Sequence, residues 1–171
     1  PMDINESATI KGGVEMVQQH TDKLDLLINN AGINPPTNEA RHFGQLDAEA
    51  VGHVVTTNSV SPLMVTQAFA ALLKAADSAK VAMISSQMGS IERASAGWYA
   101  YRMSKAAMNM ATAQLAQELQ SDGIAVVTLH PGHVQTDMGG TRAPVTPDDS
   151  AAGLIEVLDG LTMQQTGQFL D

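Results

Sequence analysis

The chain has 171 residues, 44% of them apolar and 16% charged, a balance that suits one folded domain spanning residues 1–171 rather than disorder. Its formal net charge is −9 and it carries no basic run, which excludes a phosphate footprint and argues against nucleic-acid binding. It has no cysteine, which excludes disulfides, thiol catalysis and cysteine-based zinc sites, and no apolar stretch long enough to cross a bilayer; a cytoplasmic location is the expectation.

Residues 1–4 are a stub too short for periodicity to speak. Ile10, Val14 and Val17 recur at helical spacing and predict a helix over residues 6–20, with Asn5 or Ser7 as its N-cap. Residues 24–29 form an apolar run of strand length, ended by Asn30, Ala31 and Gly32 and followed by loop chemistry over residues 34–38. Residues 47–57 and 62–76 read as two helices, or as one long helix broken near Ser61 and Pro62. A second buried strand is predicted over residues 80–85, and a long helix over 97–120, closed at Gly123. Residues 124–129 make a third strand. Thr146, Pro147, Asp148 and Asp149 have the chemistry of a helix start, and residues 167–171 begin one more strand. Strands alternating with helices predict an α/β fold, a parallel sheet covered on both faces.

Tyr101 and Lys105 lie four apart on the predicted long helix and so share one face. A nearby cation lowers a phenol's pKa, which would let tyrosine act as a general acid near neutral pH. Taken alone, the pair reads more readily as a surface lysine beside a half-buried tyrosine. Its company says more. Ser85 and Ser86 end one strand, Asn29-Asn30-Ala31-Gly32 the strand before it, and Pro131-Gly132 with Thr136 the strand after it, all at the carboxyl edge where such folds bind ligands. Asn58 sits within a helix it does little to favour. His130 and His133 straddle Pro131-Gly132, share no helix face and make no metal site; no metal is expected. Asp148 and Asp149 read as helix-start charges.

In these motifs the chain resembles the short-chain dehydrogenase/reductase family over essentially its whole length. The wording of residues 85–91 and 98–105 is most similar to the branch of C-factor-type and sniffer-type carbonyl reductases. The resemblance implies a Rossmann-like doubly wound sheet and hydride transfer between a nicotinamide cofactor and a carbonyl or alcohol. It implies Tyr101 as general acid/base and Lys105 as the group that lowers its pKa and holds the nicotinamide ribose. It further implies Ser86 polarising the carbonyl and Asn58 holding a water. Asn30, Ala31 and Gly32 would line the cofactor, Pro131, Gly132, Val134 and Thr136 would meet its carboxamide, and Asp3 matches the position that contacts adenine. The cofactor is NADP or NAD, with NADP ahead. Ser85 stays open as an alternative to Ser86; Tyr99 lacks a lysine four residues on.

Members of the family begin with a strand, a glycine-rich turn that meets the pyrophosphate, and a helix. This chain enters at what the resemblance identifies as the third strand, and its C-terminal strand and tail look cut short near Asp171. Gly12-Gly13 lies inside a predicted helix and does not supply that turn. In the strand order 3-2-1-4-5-6, Met2-Asp3-Ile4 then has no neighbour, and Leu26-Leu27-Ile28 becomes an open edge. Weak cofactor binding and weak or absent turnover by the chain alone are therefore expected. Epimerisation and dehydration are chemistries that related folds also perform. The competing class is a non-catalytic scaffold. A homodimer through the helices of residues 54–73 and 97–119 is the expected assembly.

Overall fold

Val81 and Met83 point to one side of their strand and Ala82 and Ile84 to the other, and all four are buried. A strand apolar on both sides needs cover on both faces, which is the arrangement of a parallel sheet crossed by helices. The computed structural model describes residues 1–35 and 37–171 and shows that sheet; Pro36, in the predicted loop, lies outside the described residues. Its strands are β1 (Leu26–Asn29), β2 (Lys80–Ile84), β3 (Ala125–Leu129) and β4 (Phe169–Leu170), parallel and in the order β1-β2-β3-β4.

Helices α1 (Ser7–Gln18), α3 (Ser61–Lys74) and α4 (Tyr99–Glu118) cover one face, where Ile10, Phe69, Leu73 and Met108 pack on Val81, Met83 and Val126. Helix α5 (Pro147–Asp159) covers the other through Leu158, with Leu161 just beyond it, against Ala82, Val127 and Leu129. Helix α2 (Ala48–Val55) lies under a smaller cluster of Ala40, Val54 and Ala100, which joins the loop after β1 to the start of α4.

Several boundaries differ from the sequence reading. The cap of α1 is Glu6, with no side-chain bond, because the Asn5 carboxamide is drawn away to accept from Ser61 Oγ at 2.7 Å. Strand β1 starts at Leu26 rather than 24, since Leu24 N bonds to the Leu72 carbonyl instead of a strand. The break in the middle helix falls before Pro62, in a π-helical turn over Thr56–Val60 where Ser61 N reaches Thr56 O. Pro62 has no N–H to give the carbonyl of Asn58 four residues back, so the regular ladder cannot run through this point. At α5 the Thr146 hydroxyl accepts from Asp149 N at 3.1 Å, the expected cap.

Residues 1–5 form no strand. Asp3 instead closes a turn, its carboxylate accepting from Asn5 N at 2.9 Å. β1 has one strand neighbour, and Leu26 and Ile28 stand 38% and 46% exposed on the face that α5 covers elsewhere, the open edge that the strand order implies.

Candidate active site

The carboxyl ends of β1, β2 and β3 bring the sequence motifs to one edge of the sheet. After β2 the chain makes a short 3-10 turn, Gln87–Gly89, capped by Ser86, whose Oγ accepts from Met88 N at 3.1 Å. That turn presses on α4: a Cβ on Gly89 would stand 2.7 Å from the Lys105 carbonyl carbon and 2.9 Å from Ala106 N. Glycine is what permits the approach.

The approach sets Ser86 against Tyr101. Burial pushes the Tyr101 phenol above its ordinary value, and the neighbouring Ser86 hydroxyl opposes that rise. Ser85, the alternative hydroxyl, turns into α4, donating to Asn109 Oδ1 at 2.7 Å. Lys105 is 5% exposed and its ammonium donates to the Ile84 carbonyl at 2.9 Å, with no carboxylate in contact among the described residues. Desolvation brings its pKa down to about 8 from an ordinary 10.5. The ammonium lies over the Tyr101 ring, 5.6 Å from its centre. Burial is the largest influence on the phenol and acts to raise its pKa.

Asn58 is fully buried in the π-helical turn. Its side chain accepts from Ile33 N at 2.7 Å and donates to Ile33 O at 2.9 Å and Ser104 Oγ at 3.1 Å. It thus fastens the loop after β1 to α4, and a Cβ on Gly32 would come 3.3 Å from Asn58 Oδ1 and 3.8 Å from Lys105 Nζ. Asn30 and Ala31 are exposed beside this point, and with Met2, Ile4 and Ile28 they line a cavity of about 150 Å3. Asp3 is an exposed turn residue next to that cavity. On the third strand's side, Pro131, Gly132 and Val134 are half-buried, and Val134 bridges Val145. The exposed Thr136 spends its hydroxyl on the turn, accepting from Gly139 N at 3.1 Å.

Other candidates stay outside this group. His133 bonds the Gly139 carbonyl at 2.9 Å, and among the described residues no cluster of His, Asp and Glu fit to hold a metal occurs. The sequence reading missed three supports: Asn109, one helical turn beyond Lys105, Ser104 behind Asn58, and Arg102. The first has a signal in its i, i+4 spacing from Lys105; the other two depend on which loops pack on α4, which spacing does not tell.

The fold and motifs are those of an oxidoreductase class, and the family model for short chain dehydrogenases matches residues 1–145; the chain belongs to that family. Within it, the C-signal protein of Myxococcus xanthus is 41% identical over 152 residues, 88% of this chain and 90% of that one. The NADPH-bound carbonyl reductase from chicken fatty liver superposes with a TM-score of 0.90 at 37% identity, covering 99% of this chain and 72% of that chain. Carbonyl reductase Sniffer of D. melanogaster superposes at 0.91 with 32% identity, covering 98% and 72% respectively. The resemblance to the C-factor and sniffer branch thus holds. Among the described residues no helix is long and apolar enough to cross a membrane.

Proposed function

We propose that residues 1–171 act as one Rossmann-like domain that carries the proton-transfer half of an NADP(H)-dependent carbonyl reductase. The observation that carries this reading is the meeting of Ser86, Tyr101 and Lys105 beside Gly32 at the carboxyl edge of the sheet. Burial keeps the Tyr101 phenol protonated at neutral pH, so it arrives as an acid. It gives its proton to the carbonyl oxygen as that oxygen becomes an alkoxide, while the Ser86 hydroxyl donates to the same oxygen. An ammonium has three donors, and Ile84 O uses one at Lys105; the remaining two suit a ribose diol. Asn58's carboxamide is spent on Ile33 and Ser104, so its main-chain carbonyl, left without an i+4 donor by Pro62, is the better holder of a relay water.

Asn30, Ala31, Gly32 and the loop with Pro131, Gly132, Val134 and Thr136 fit the nicotinamide and its ribose. The cofactor, when bound, supplies the hydride. The phosphates find no glycine-rich turn and no basic cluster in these 171 residues, and Asp3 offers an exposed carboxylate on the adenine side. We therefore expect the chain by itself to bind NADPH weakly. A small carbonyl compound is the substrate class.

The test is a titration of NADPH into the chain, followed through Trp98, the single tryptophan, three residues before Tyr101. Saturation well above the micromolar range is expected; tight micromolar binding would remove the weak-binding part of the reading. In any turnover that follows, Tyr101→Phe should lower kcat by about 10²–10⁴ with the melting temperature held. Undiminished turnover in that variant would sink the assignment.

A second reading, an interaction module with a vestigial site, is favoured by one observation: the match covers 90% of the C-signal protein, a relative of comparable span. A folded chain with no NADPH response at all would select it. Either way we propose a homodimer through α3 and α4, where Met103 and Met110 are 51% and 63% exposed.

A further inference from the structure

Between Ser86 and Tyr101 the chain makes an exposed excursion, residues 91–96, which no helix or strand supports. Among the described residues its hydrogen bonds to the rest of the chain come from two arginines. Arg93 bonds within the neighbourhood, its N–H to Ser90 Oγ at 3.3 Å and its guanidinium to Gln87 Oε1 at 2.8 Å. Arg102, on the first turn of α4 beside Tyr101, reaches further. Its Nη1 donates to Met88 O at 3.2 Å and Arg93 O at 3.5 Å, and its Nη2 to Ser95 Oγ at 2.6 Å. One planar fork therefore grips the excursion at two points and the 3-10 turn before it at a third. Its Nε is buried without a partner, so the side chain is held by the geometry of the other two nitrogens and gains nothing from the third.

The gripped segment borders open space. Gln87, Ser90 and Arg93 line a cavity of about 360 Å3 together with Asn109, Phe169 and Asp171. Gln87 follows Ser86 directly, so any drift of the segment is passed to the hydroxyl that meets Tyr101. At the far end of the excursion Arg41 stacks 4.5 Å over Trp98, which holds a left-handed φ of 59° after Gly97 at 81°. The excursion is thus anchored at its exit by that stack and along its length by Arg102. Lysine cannot replace this fork, because its ammonium is a single point charge on a flexible stem.

Resting on the reductase reading above for its substrate, we propose that Arg102 is a positioning residue. It clips residues 88–95 to the first turn of α4 and thereby fixes the wall of the carbonyl substrate's space beside Ser86. The test uses the whole chain with Arg102→Met and Arg102→Lys, read by tryptic cleavage after Arg93 and by acrylamide quenching of Trp98. Cleavage in both variants should run about tenfold faster than in the unaltered chain, because the clip's loss makes local opening cheaper. Trp98 should quench more readily in step. Unchanged cleavage overturns the proposal, and full rescue by lysine overturns the fork geometry. Should Arg102→Met not fold, Ser95→Ala removes one contact only and is expected to speed cleavage about twofold to fivefold; no change there is equally fatal. With a carbonyl substrate, KM should rise about fivefold at nearly constant kcat, and an equal fall in kcat and kcat/KM would assign Arg102 to the chemistry instead. Accelerated cleavage in a chain that neither binds NADPH nor turns over would leave the clip standing and remove the reductase reading.

Discussion

Lys105 shows how much one buried charge decides. Its ammonium is enclosed with a single carbonyl partner and no carboxylate in contact among the described residues, and desolvation holds its pKa at about 8 where an unfolded chain would have 10.5. The sign follows from proton counting: between these values the unfolded chain binds more protons than the folded one, so stability rises with pH across the window. Below about 8 both states are charged and the full cost of burying the ammonium remains. Tyr101 works the other way, its raised pKa costing stability only above the ordinary phenol value of 10.0. We expect the unaltered chain to gain on the order of 1–3 kcal/mol relative to Lys105→Met between pH about 7.5 and about 10. Urea midpoints of the two proteins across that range give the difference, and a flat difference would mean the ammonium is better solvated than its surroundings indicate. Such burial belongs to a working site more than to a stabilising one, since a methionine there would fold more readily.

At the scale of elements, the site is made by contacts between a turn and a helix. The 3-10 turn Gln87–Gly89 can lie on α4 only because Gly89 has no side chain, and the obstacle to any Cβ is backbone, which does not move aside as a flexible side chain would. Gly89→Ala should destabilise the fold by about 1–3 kcal/mol and part the Ser86 and Tyr101 hydroxyls. A thermal melt reads the first effect. The second appears as a change in the Tyr101 ionisation midpoint, best seen with Tyr99→Phe so that one tyrosine remains; an unmoved midpoint would show that Ser86 does not depend on the turn. The π-helical turn is a second such device. Pro62 interrupts the ladder and the widened turn carries Asn58 inward, where it ties the loop after β1 to Ser104 on α4. A helix without that irregularity would leave Asn58 an indifferent helical residue.

At the scale of the whole molecule, two of the exposed apolar surfaces among the described residues bear on association. One is the side of β1 with Leu26 and Ile28; the other runs along α4 at Met103 and Met110, with Val60 on the π-helical turn and Met64 on α3 exposed as well. Exposed apolar surface of this kind marks association. The two surfaces make different predictions. If α3 and α4 form the homodimer, Met110→Glu should raise its dissociation constant by about thirtyfold or more, since a buried unpaired charge at an interface costs about 2–5 kcal/mol. Ile28→Lys should leave that dimer intact and suppress only slower, concentration-dependent aggregation through the sheet edge. Sedimentation of the two variants separates these outcomes, and a dimer broken by Ile28→Lys alone would move the interface to β1.

The order of strands and helices, the parallel sheet and the family's motif were legible in the amino-acid sequence, because apolar periodicity and turn chemistry act over a few neighbouring residues. So was the grouping of Ser86 with Tyr101 and Lys105, since the serine follows the end of β2, the other two share one face of the helix that follows it, and strand ends gather at one edge of a parallel sheet. The tertiary structure decided what these residues feel. That Ser85 turns to Asn109 while Ser86 lies by Tyr101, that burial raises the phenol, and that Asn58 spends its side chain on Ile33 all depend on contacts between distant segments. Arg102 is the plainest case. In the sequence it is one charge beside a tyrosine; only packing shows its fork reaching three points of a segment seven to fourteen residues away.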